Sequence, residues 1–393
     1  DQYLTATSDY SLLDEQVPFL RGNMPSEDQP TVFEVPEISN ETGSIYEHCI
    51  RALERSLKWG PHGLPLIGDG DWNDGFSNIG TKGKGESVWL GWFISYLLGA
   101  FSRLAQERED PARAKRYTEE RQRLAAAIEQ YGWDGEWYRR AYFDDGTPLG
   151  STTNKECRID SIAQSWSVMS GVAPLNRQKQ AIESAYQHLV CKQDALVLLL
   201  TPPFDKSDPS PGYIQGYPRG LRENGGQYTH ASTWLIWAMT LLGEGDRALE
   251  LFQLINPINH ALDHKAALRY KTEPYVLCGD VYSEHPHVGR GGWSWYTGSS
   301  SWAYRAAIEQ IIGIKLRGHY FTLYPCVSAA WKEFSIRYRR GHTEYEIQVL
   351  NPEGVQSGVK SVVVDGTPIA DHHIPLPQDL NQTRKVRVVV RMG

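Results

Sequence analysis

The feature that most constrains this chain is an alternation of two kinds of helical segment. From Val88 to about Leu104 the sequence is apolar nearly all round, carrying Trp89, Leu90, Trp92, Phe93, Ile94, Tyr96, Leu97 and Leu98. A helix apolar on every face belongs in an interior. Asp110-Pro111 follows, a capping residue with proline at the first helical position, and opens a highly charged segment that runs to about Tyr131 on the outside. The pairing recurs. Ser161–Met169 reads as an inner helix and Pro174–Val190 as an outer one; Ala231–Leu242 is apolar again, with a shorter helix from Asp246 to about Leu254 behind it. Ser44–Trp59, with Ile45, Cys49, Ile50, Leu53 and Leu57, fits an amphipathic helix ahead of the series, and Ser299–Ile312 closes it. No parallel-sheet pattern intervenes. Paired helices with long loops gathered at one end predict a mainly α fold, an (α/α)6 toroid, and about eight helices leave it N-terminally incomplete.

Past Gly313 the texture changes. Phe334–Tyr338, Thr343–Val349, Gly358–Val364 and Lys385–Val390 alternate apolar and polar residues between Gly, Asn-Pro and Asp-Gly turns. They predict a small antiparallel β-sandwich domain over 316–393, after a partial barrel over 1–315. Residues 1–42 are polar and Pro-rich, with an extended run near Thr31–Val35 and no core of their own.

Between the first two helices lies Gly68-Asp69-Gly70-Asp71-Trp72-Asn73-Asp74-Gly75, with three carboxylates, an indole and an amide packed into one loop. Crowded carboxylates repel, so one is expected to keep its proton at neutral pH. A carboxylic acid beside an aromatic face suits cleavage of a glycosidic bond: the acid protonates the leaving oxygen and the ring stacks on a sugar. The Asp69, Asp71, Asn73 alternation also resembles a calcium loop, but Gly80 stands where the closing Glu belongs. A plain turn with Asp and Asn capping backbone groups is the remaining reading.

Two further loops are rich in chemistry. Pro211–His230 contains Tyr213, Tyr217, Arg222, Glu223 and His230; His285–Ser299 contains His287, Arg290, Thr297 and Gly298 at a helix start. Backbone N–H groups and hydroxyls at Thr297, Gly298 and Ser299 can receive an anion, with Arg290, His287 and His230 adding positive charge. Capping by Ser or Thr explains the same residues without a ligand. His285 and His287 lack a third zinc ligand at a matching spacing, so no metal is expected.

Composition narrows the partners. With 393 residues, 40% hydrophobic, the chain can bury a large core in two domains. A net charge of −7 argues against nucleic acid. Thirteen Trp and 21 Tyr, many in Gly-rich loops, suit a carbohydrate cleft, although core packing uses the same residues. Five dispersed cysteines without a CxxC favour reduced thiols and a cytoplasmic location. No apolar run is expected to reach membrane-spanning length and no signal peptide opens the chain. The chain starts at Asp1, as a processed or truncated product does.

Four stretches, Gly-Asp-Trp-Asn-Asp-Gly at 70–75, Gly-Lys-Gly-Glu-Ser-Val-Trp-Leu-Gly-Trp-Phe at 83–93, Arg-Glu-Asn-Gly-Gly-Gln-Tyr-Thr-His at 222–230, and His-Val-Gly-Arg-Gly-Gly-Trp at 287–293 with Trp-Tyr-Thr-Gly-Ser at 295–299, occur in an order that resembles glycoside hydrolase family 94. These are inverting β-glycoside phosphorylases, and the resemblance is greatest to the branch acting on β-1,2-glucans: oligoglucan phosphorylases and the C-terminal region of cyclic β-1,2-glucan synthases. The resemblance implies an (α/α)6 barrel followed by a β-sandwich, with no cofactor and inorganic phosphate as co-substrate. It implies Asp74 as general acid, Trp72 and Asp71 at the sugar losing its bond, His230, Thr297 and Gly298 around phosphate, and Tyr213, Tyr217, Arg222 and Glu223 on the acceptor side. It also implies elements missing before the first helix here, including an Arg and Asp pair of the donor-sugar site. A basic residue shortly after the acidic loop is replaced by Ser77-Asn78-Ile79, with Lys82 and Lys84 nearby.

The expected partners are a β-glucan or glucooligosaccharide, phosphate, the missing N-terminal part of a longer enzyme and a second copy of the chain in a homodimer. An inverting hydrolase and a non-catalytic glucan-binding segment are the alternatives.

Overall fold

The computed structural model describes residues 1–23, 32–295 and 298–393, and within them ten α-helices and several small sheets. The helices are α1 (Gln2–Thr7), α2 (Ile45–Arg55), α3 (Val88–Glu107), α4 (Pro111–Ala127), α5 (Ser161–Met169), α6 (Leu175–Leu189), α7 (Thr229–Leu241), α8 (Gly245–Ile255), α9 (His264–Tyr270) and α10 (Ser299–Arg305). Side chains cap several of their starts, that at Asp110-Pro111 as read from the sequence. Ser44 Oγ accepts the Glu47 N–H at 3.1 Å, Ser87 Oγ the Leu90 N–H at 2.9 Å, and Asp110 Oδ1 the Arg113 N–H at 3.0 Å with Pro111 at the first position.

The pairing of apolar with charged helices is what the fold uses. Helix α3 packs on α4, α5 on α6 and α7 on α8, and α3, α5, α7 and α10 lie side by side as an inner row. Trp92, Ile94 and Leu98 of α3, Ile162 of α5 and Trp234 and Leu235 of α7 are buried between them. By length and composition α3 is apolar enough to cross a membrane, with mean hydropathy 1.3 over its window, which corrects the expectation that no run reaches that length. Its long apolar face is spent on the neighbouring helices.

The N-terminal region differs from expectation. The segment 32–35 is not a strand, and Thr31 lies outside the described residues. The extended structure is instead an antiparallel hairpin of β1 (Gln16–Arg21) and β2 (Glu37–Ser44). Helix α9 lies beyond the helices expected from the sequence; at seven residues it is too short to show a periodic face.

The C-terminal strands occur where the alternation places them, but the sheet is mixed rather than antiparallel. Strands β3 (Ile314–Arg317), β4 (Tyr320–Leu323), β5 (Glu333–Arg340), β6 (Thr343–Leu350), β7 (Val359–Val364), β8 (Thr367–Pro368), β9 (Ile374–Pro375) and β10 (Arg384–Met392) form sheets of order β3-β4-β9 and β5-β6-β10-β7-β8. Strands β6 and β10 are parallel, from Thr343↔Arg384 to Leu350↔Arg391. Both are buried at alternate residues, Tyr345, Ile347 and Val349 against Val386, Val388 and Val390, and these join Leu235, Met239 and Leu251 of α7 and α8 in one core.

A third cluster holds the loops. Ile67, Phe76, Ile79, Leu149, Cys157, Leu200, Phe204 and Ile214 come from three separate connections, α2–α3, α4–α5 and α6–α7, and pack together at one end of the inner row. Burying each such apolar side chain contributes about 1.5–3 kcal/mol, enough to hold long connections in place.

Candidate active site

The acidic loop is seated by the loop that carries Tyr213. Ile214 N–H donates to the Gly75 carbonyl at 3.1 Å, Asn78 N–H to the Pro211 carbonyl at 3.2 Å and Tyr213 N–H to Ser77 Oγ at 3.3 Å. A Cβ at Gly75 would come within 2.7 Å of the Ile214 Cβ, and Gly212, at φ +127°, approaches Ser77 N to 2.5 Å by the same measure, so both glycines are needed for this contact. Ser77 and Asn78, where the resemblance led to the expectation of a basic residue, therefore hold loop to loop. Lys82 and Lys84 are anchored through their backbone N–H groups on Asp144, each at 2.8 Å, with exposed side chains.

The three carboxylates of the acidic loop part company. Asp74 and Asp69 are exposed. Asp71 is sealed: its side chain is 0% exposed, and Arg140 grips both of its oxygens at 2.6 Å while Ser87 Oγ donates to Oδ2 at 2.6 Å. The expectation that Asp71 contacts a sugar is corrected on this ground, since no face of its carboxylate is open. Nor do Asp69, Asp71 and Asn73 converge as calcium ligands, because Asp71 faces Arg140 and the Asn73 side-chain oxygen accepts the Gly75 N–H at 3.0 Å.

Trp72 points into the helical array. Its indole meets the His230 ring edge-on at 5.4 Å between centroids, Tyr228 at 5.5 Å and Trp234 at 5.2 Å. His230, on the first turn of α7, also packs on Trp234 at 4.5 Å and Trp302 at 5.8 Å. Burial among these rings pulls its pKa down to about 4. The imidazole is neutral at pH 7, which corrects the expectation that it adds charge. Its Nε2 is buried without a hydrogen-bond partner among the described residues, and it lines the cavity as a hydrogen-bonding group.

Beside His230 lies a cavity of about 150 Å³ lined by Arg222, Tyr228, Gly279, Asp280, Trp293, Gly298 and Ser299. Its cation is Arg222. The guanidinium lies 4.3 Å from the Trp293 ring centroid and 4.8 Å from that of Tyr217. Arg290 and His287 are exposed and do not line it. Thr297 lies outside the described residues; Gly298 is at the cavity wall. Asp280 sits opposite Tyr228 in a two-residue antiparallel ladder and accepts the backbone N–H groups of Arg222 at 3.0 Å and Trp293 at 3.3 Å. Burial raises its pKa, with those bonds working against the rise.

The acceptor-side candidates bridge the two regions. Tyr213, 48% exposed, stands edge-on to Tyr217 at 5.9 Å. Burial, then the charge of Asp74, raises the Tyr213 phenol, and burial, then Glu223, raises Tyr228. Glu223 also lies 3.6 Å from the Arg222 Nε. Asp74, Tyr213, Tyr217, Arg222, Glu223, Tyr228 and His230 are thus linked neighbour to neighbour on one side of the fold. Arg140 and Asp280 were missed from sequence. Arg140 reaches Asp71 and Asp280 reaches Arg222 across more than fifty residues, and neither sits in a recognisable motif.

Residues 1–313 match the catalytic-domain model of the glycosyl hydrolase 94 superfamily. The chain belongs to that superfamily. This glycosyl hydrolase 94 chain is 43% identical over 372 residues to the cyclic beta-(1,2)-glucan synthase NdvB of Rhizobium meliloti (strain 1021), a match covering 94% of the chain and 13% of the relative. It is 33% identical over 380 residues to the solabiose phosphorylase of Paenibacillus borealis, over 95% of the chain and 46% of the relative. It thus spans less than half the length of either. Among solved structures a sialidase superposes with a TM-score of 0.50 at 13% identity, covering 74% of this chain and 26% of that one, a likeness of fold alone. The glycosyl hydrolase 94 match spans α1–α10, where the paired helices lie.

Proposed function

We propose that this chain is the catalytic part of a longer glycoside phosphorylase, or of a glucan synthase with phosphorylase chemistry, built on an N-terminally incomplete (α/α)6 toroid with a C-terminal β-sandwich. It cleaves β-glucosidic bonds of a glucan, β-1,2-linked by likeness to the Rhizobium meliloti relative, and transfers the glucosyl unit to phosphate. The observation that carries this reading is the Trp72–His230 contact, which joins the acidic loop to the cavity of Arg222 and Gly298.

In this mechanism the glucosyl ring sits against Trp72, Asp74 faces its glycosidic oxygen, and phosphate lies in the cavity. Asp74 gives its proton to the glycosidic oxygen as the C1–O bond breaks. A phosphate oxygen attacks C1 from the opposite face and forms the new bond with inversion, giving α-glucose 1-phosphate and a glucan one unit shorter. Arg222 balances phosphate charge, while the neutral His230 and the Gly298 and Thr297 region supply hydrogen bonds. Because the nucleophile is already anionic, no second carboxylate is needed to activate it, and no organic cofactor or metal enters the reaction. Tyr213, Tyr217, Glu223 and Arg222 hold the departing glucan, with Arg222 reaching both acceptor and phosphate.

The alternative reading is an inverting hydrolase, favoured by one observation: Glu223 Oε2 is buried and among the described residues makes no hydrogen bond, with only the Arg222 Nε at 3.6 Å beside it, a carboxylate that can serve to activate water. The product separates the two. Incubation of the complete polypeptide with β-1,2-glucooligosaccharides is expected to release glucose 1-phosphate only when phosphate is present. Release of free glucose at the same rate without phosphate would reject phosphorolysis in favour of hydrolysis.

A further inference from the structure

Three sequence-distant segments meet behind the acidic loop. Arg140, two residues past the turn 133–138, places its two terminal nitrogens on Asp71 at 2.6 Å each, and its Nε lies 3.3 Å from Asp160 Oδ2 at the start of α5. Ser87, the cap of α3, adds its hydroxyl to Asp71 at 2.6 Å and is 3.3 Å from Arg140. All three charged side chains are at most 1% exposed. The guanidinium also lies 4.9 Å from the Phe76 ring centroid.

A buried cluster of this kind is a poor source of stability, because desolvation of each ion cancels most of the attraction. What it does specify is direction. Asp71 Oδ1 also accepts the Asn73 N–H at 3.0 Å, and Asn73 Oδ1 accepts the Gly75 N–H at 3.0 Å. These two bonds bracket Asp74 on either side. Any swing of the Asp71 carboxylate is therefore passed along the turn to the residue that faces solvent. Only a planar, two-pronged cation can hold both oxygens of Asp71 at once.

We propose that Arg140 is a positioning residue for Asp74: by fixing the Asp71 carboxylate, and through it Asn73, it sets the aim of the Asp74 side chain at the glycosidic oxygen. This rests on the reading of Asp74 as the acid. Asp160 shares the guanidinium rather than the loop. Burial pushes its pKa up to about 6 against the pull of Arg140, as expected of a second carboxylate on one cation, whereas for Arg140 burial is outweighed by Asp71 and the group stays charged.

The test uses the complete polypeptide with Arg140→Lys and Asn73→Ala. Two quantities are read: kcat with KM for phosphate, and amide hydrogen exchange in the peptide spanning 68–79. Arg140→Lys is expected to lower kcat about 100-fold, the scale of an ångström-sized misplacement, with KM for phosphate little changed and faster exchange confined to that peptide. Asn73→Ala leaves the ion cluster whole and cuts only its link to Gly75, so it guards against an Arg140 variant that does not fold; the same split is expected. Wild-type kcat in folded Asn73→Ala, or a loss carried entirely by KM for phosphate, would overturn the assignment. A wild-type enzyme that makes no glucose 1-phosphate sinks the phosphorylase reading instead, and the exchange data still judge the clamp.

Discussion

The Trp72 indole stands edge-on to the His230 imidazole, with ring centroids 5.4 Å apart and planes at 84°. These residues come from segments more than 150 positions apart, one in the acidic loop and one on the first turn of α7. Their contact puts Asp74, two residues beyond Trp72, and the cavity of Arg222 and Gly298 in one site. In the proposed mechanism a sugar resting by Trp72 meets the Asp74 carboxyl group on one side and phosphate in the cavity on the other, the arrangement an inverting transfer to phosphate requires.

Replacing Asp74 by Asn removes the transferable proton and keeps the shape. Turnover is expected to fall by at least about 100-fold, the usual worth of a positioned acid. Binding of glucooligosaccharide is expected to survive, because Trp72, Tyr213 and Tyr217 are untouched. Calorimetric titration alongside a rate assay checks both; near-normal turnover removes Asp74 from the acid role.

His230→Ala is expected to raise KM for phosphate more than KM for glucan, since it deletes a buried hydrogen-bonding nitrogen from the cavity. The residue also leaves a mark on stability. Its folded pKa of about 4 lies below the ordinary 6.5, so between these values the unfolded chain binds the extra proton. Its contribution is complete above pH 6.5 and is lost as pH falls toward 4. Thermal unfolding of His230→Gln across that window is expected to show a shallower acid loss than wild type; identical slopes reject the neutral, buried imidazole.

Asp160 has the opposite sign. Its folded pKa of about 6 lies above the ordinary 3.8, so it favours the folded state at low pH and that contribution fades as pH rises through 6. Asp160→Asn keeps the cap on the Ile162 N–H, which Asp160 accepts at 2.9 Å, and removes the titration. Its melting temperature relative to wild type is expected to rise from pH 4 to pH 7. A constant difference across that range contradicts a carboxyl group raised by burial at Asp160.

Arg222→Lys keeps a positive charge but gives up the guanidinium contact with the Trp293 and Tyr217 rings and the forked donor geometry. KM for phosphate is expected to rise about tenfold, equivalent to ~1.4 kcal/mol. An unchanged value shifts the phosphate contacts away from Arg222.

Much of the helical part is legible from sequence because burial there is written at helical spacing. Trp92 and Leu98 announce an interior helix, and Asp110-Pro111 announces the next start. The strand pattern of 333–392 is equally plain, yet which strands pair is not. The parallel partnership of Thr343–Leu350 with Arg384–Met392 depends on the long connection between them, which itself contains β7, β8 and β9, and local alternation carries no record of it. The acidic loop was legible as chemistry, but not the fate of each carboxylate. Asp71 and Asp74 look alike in the sequence; only Arg140, sixty-nine residues after Asp71, removes the first from solvent. The charge state of His230 was hidden for the same reason, since Trp234 and Trp302 bury it through tertiary packing.

The most direct measurement is phosphorolysis of a β-1,2-glucooligosaccharide with oxygen-18-labelled phosphate, followed by phosphorus and proton NMR. Attack of a cavity-bound phosphate on C1 predicts α-glucose 1-phosphate in which the bridging oxygen carries the label, formed by wild type and not by Asp74→Asn. Unlabelled free glucose, produced equally without phosphate, would contradict it.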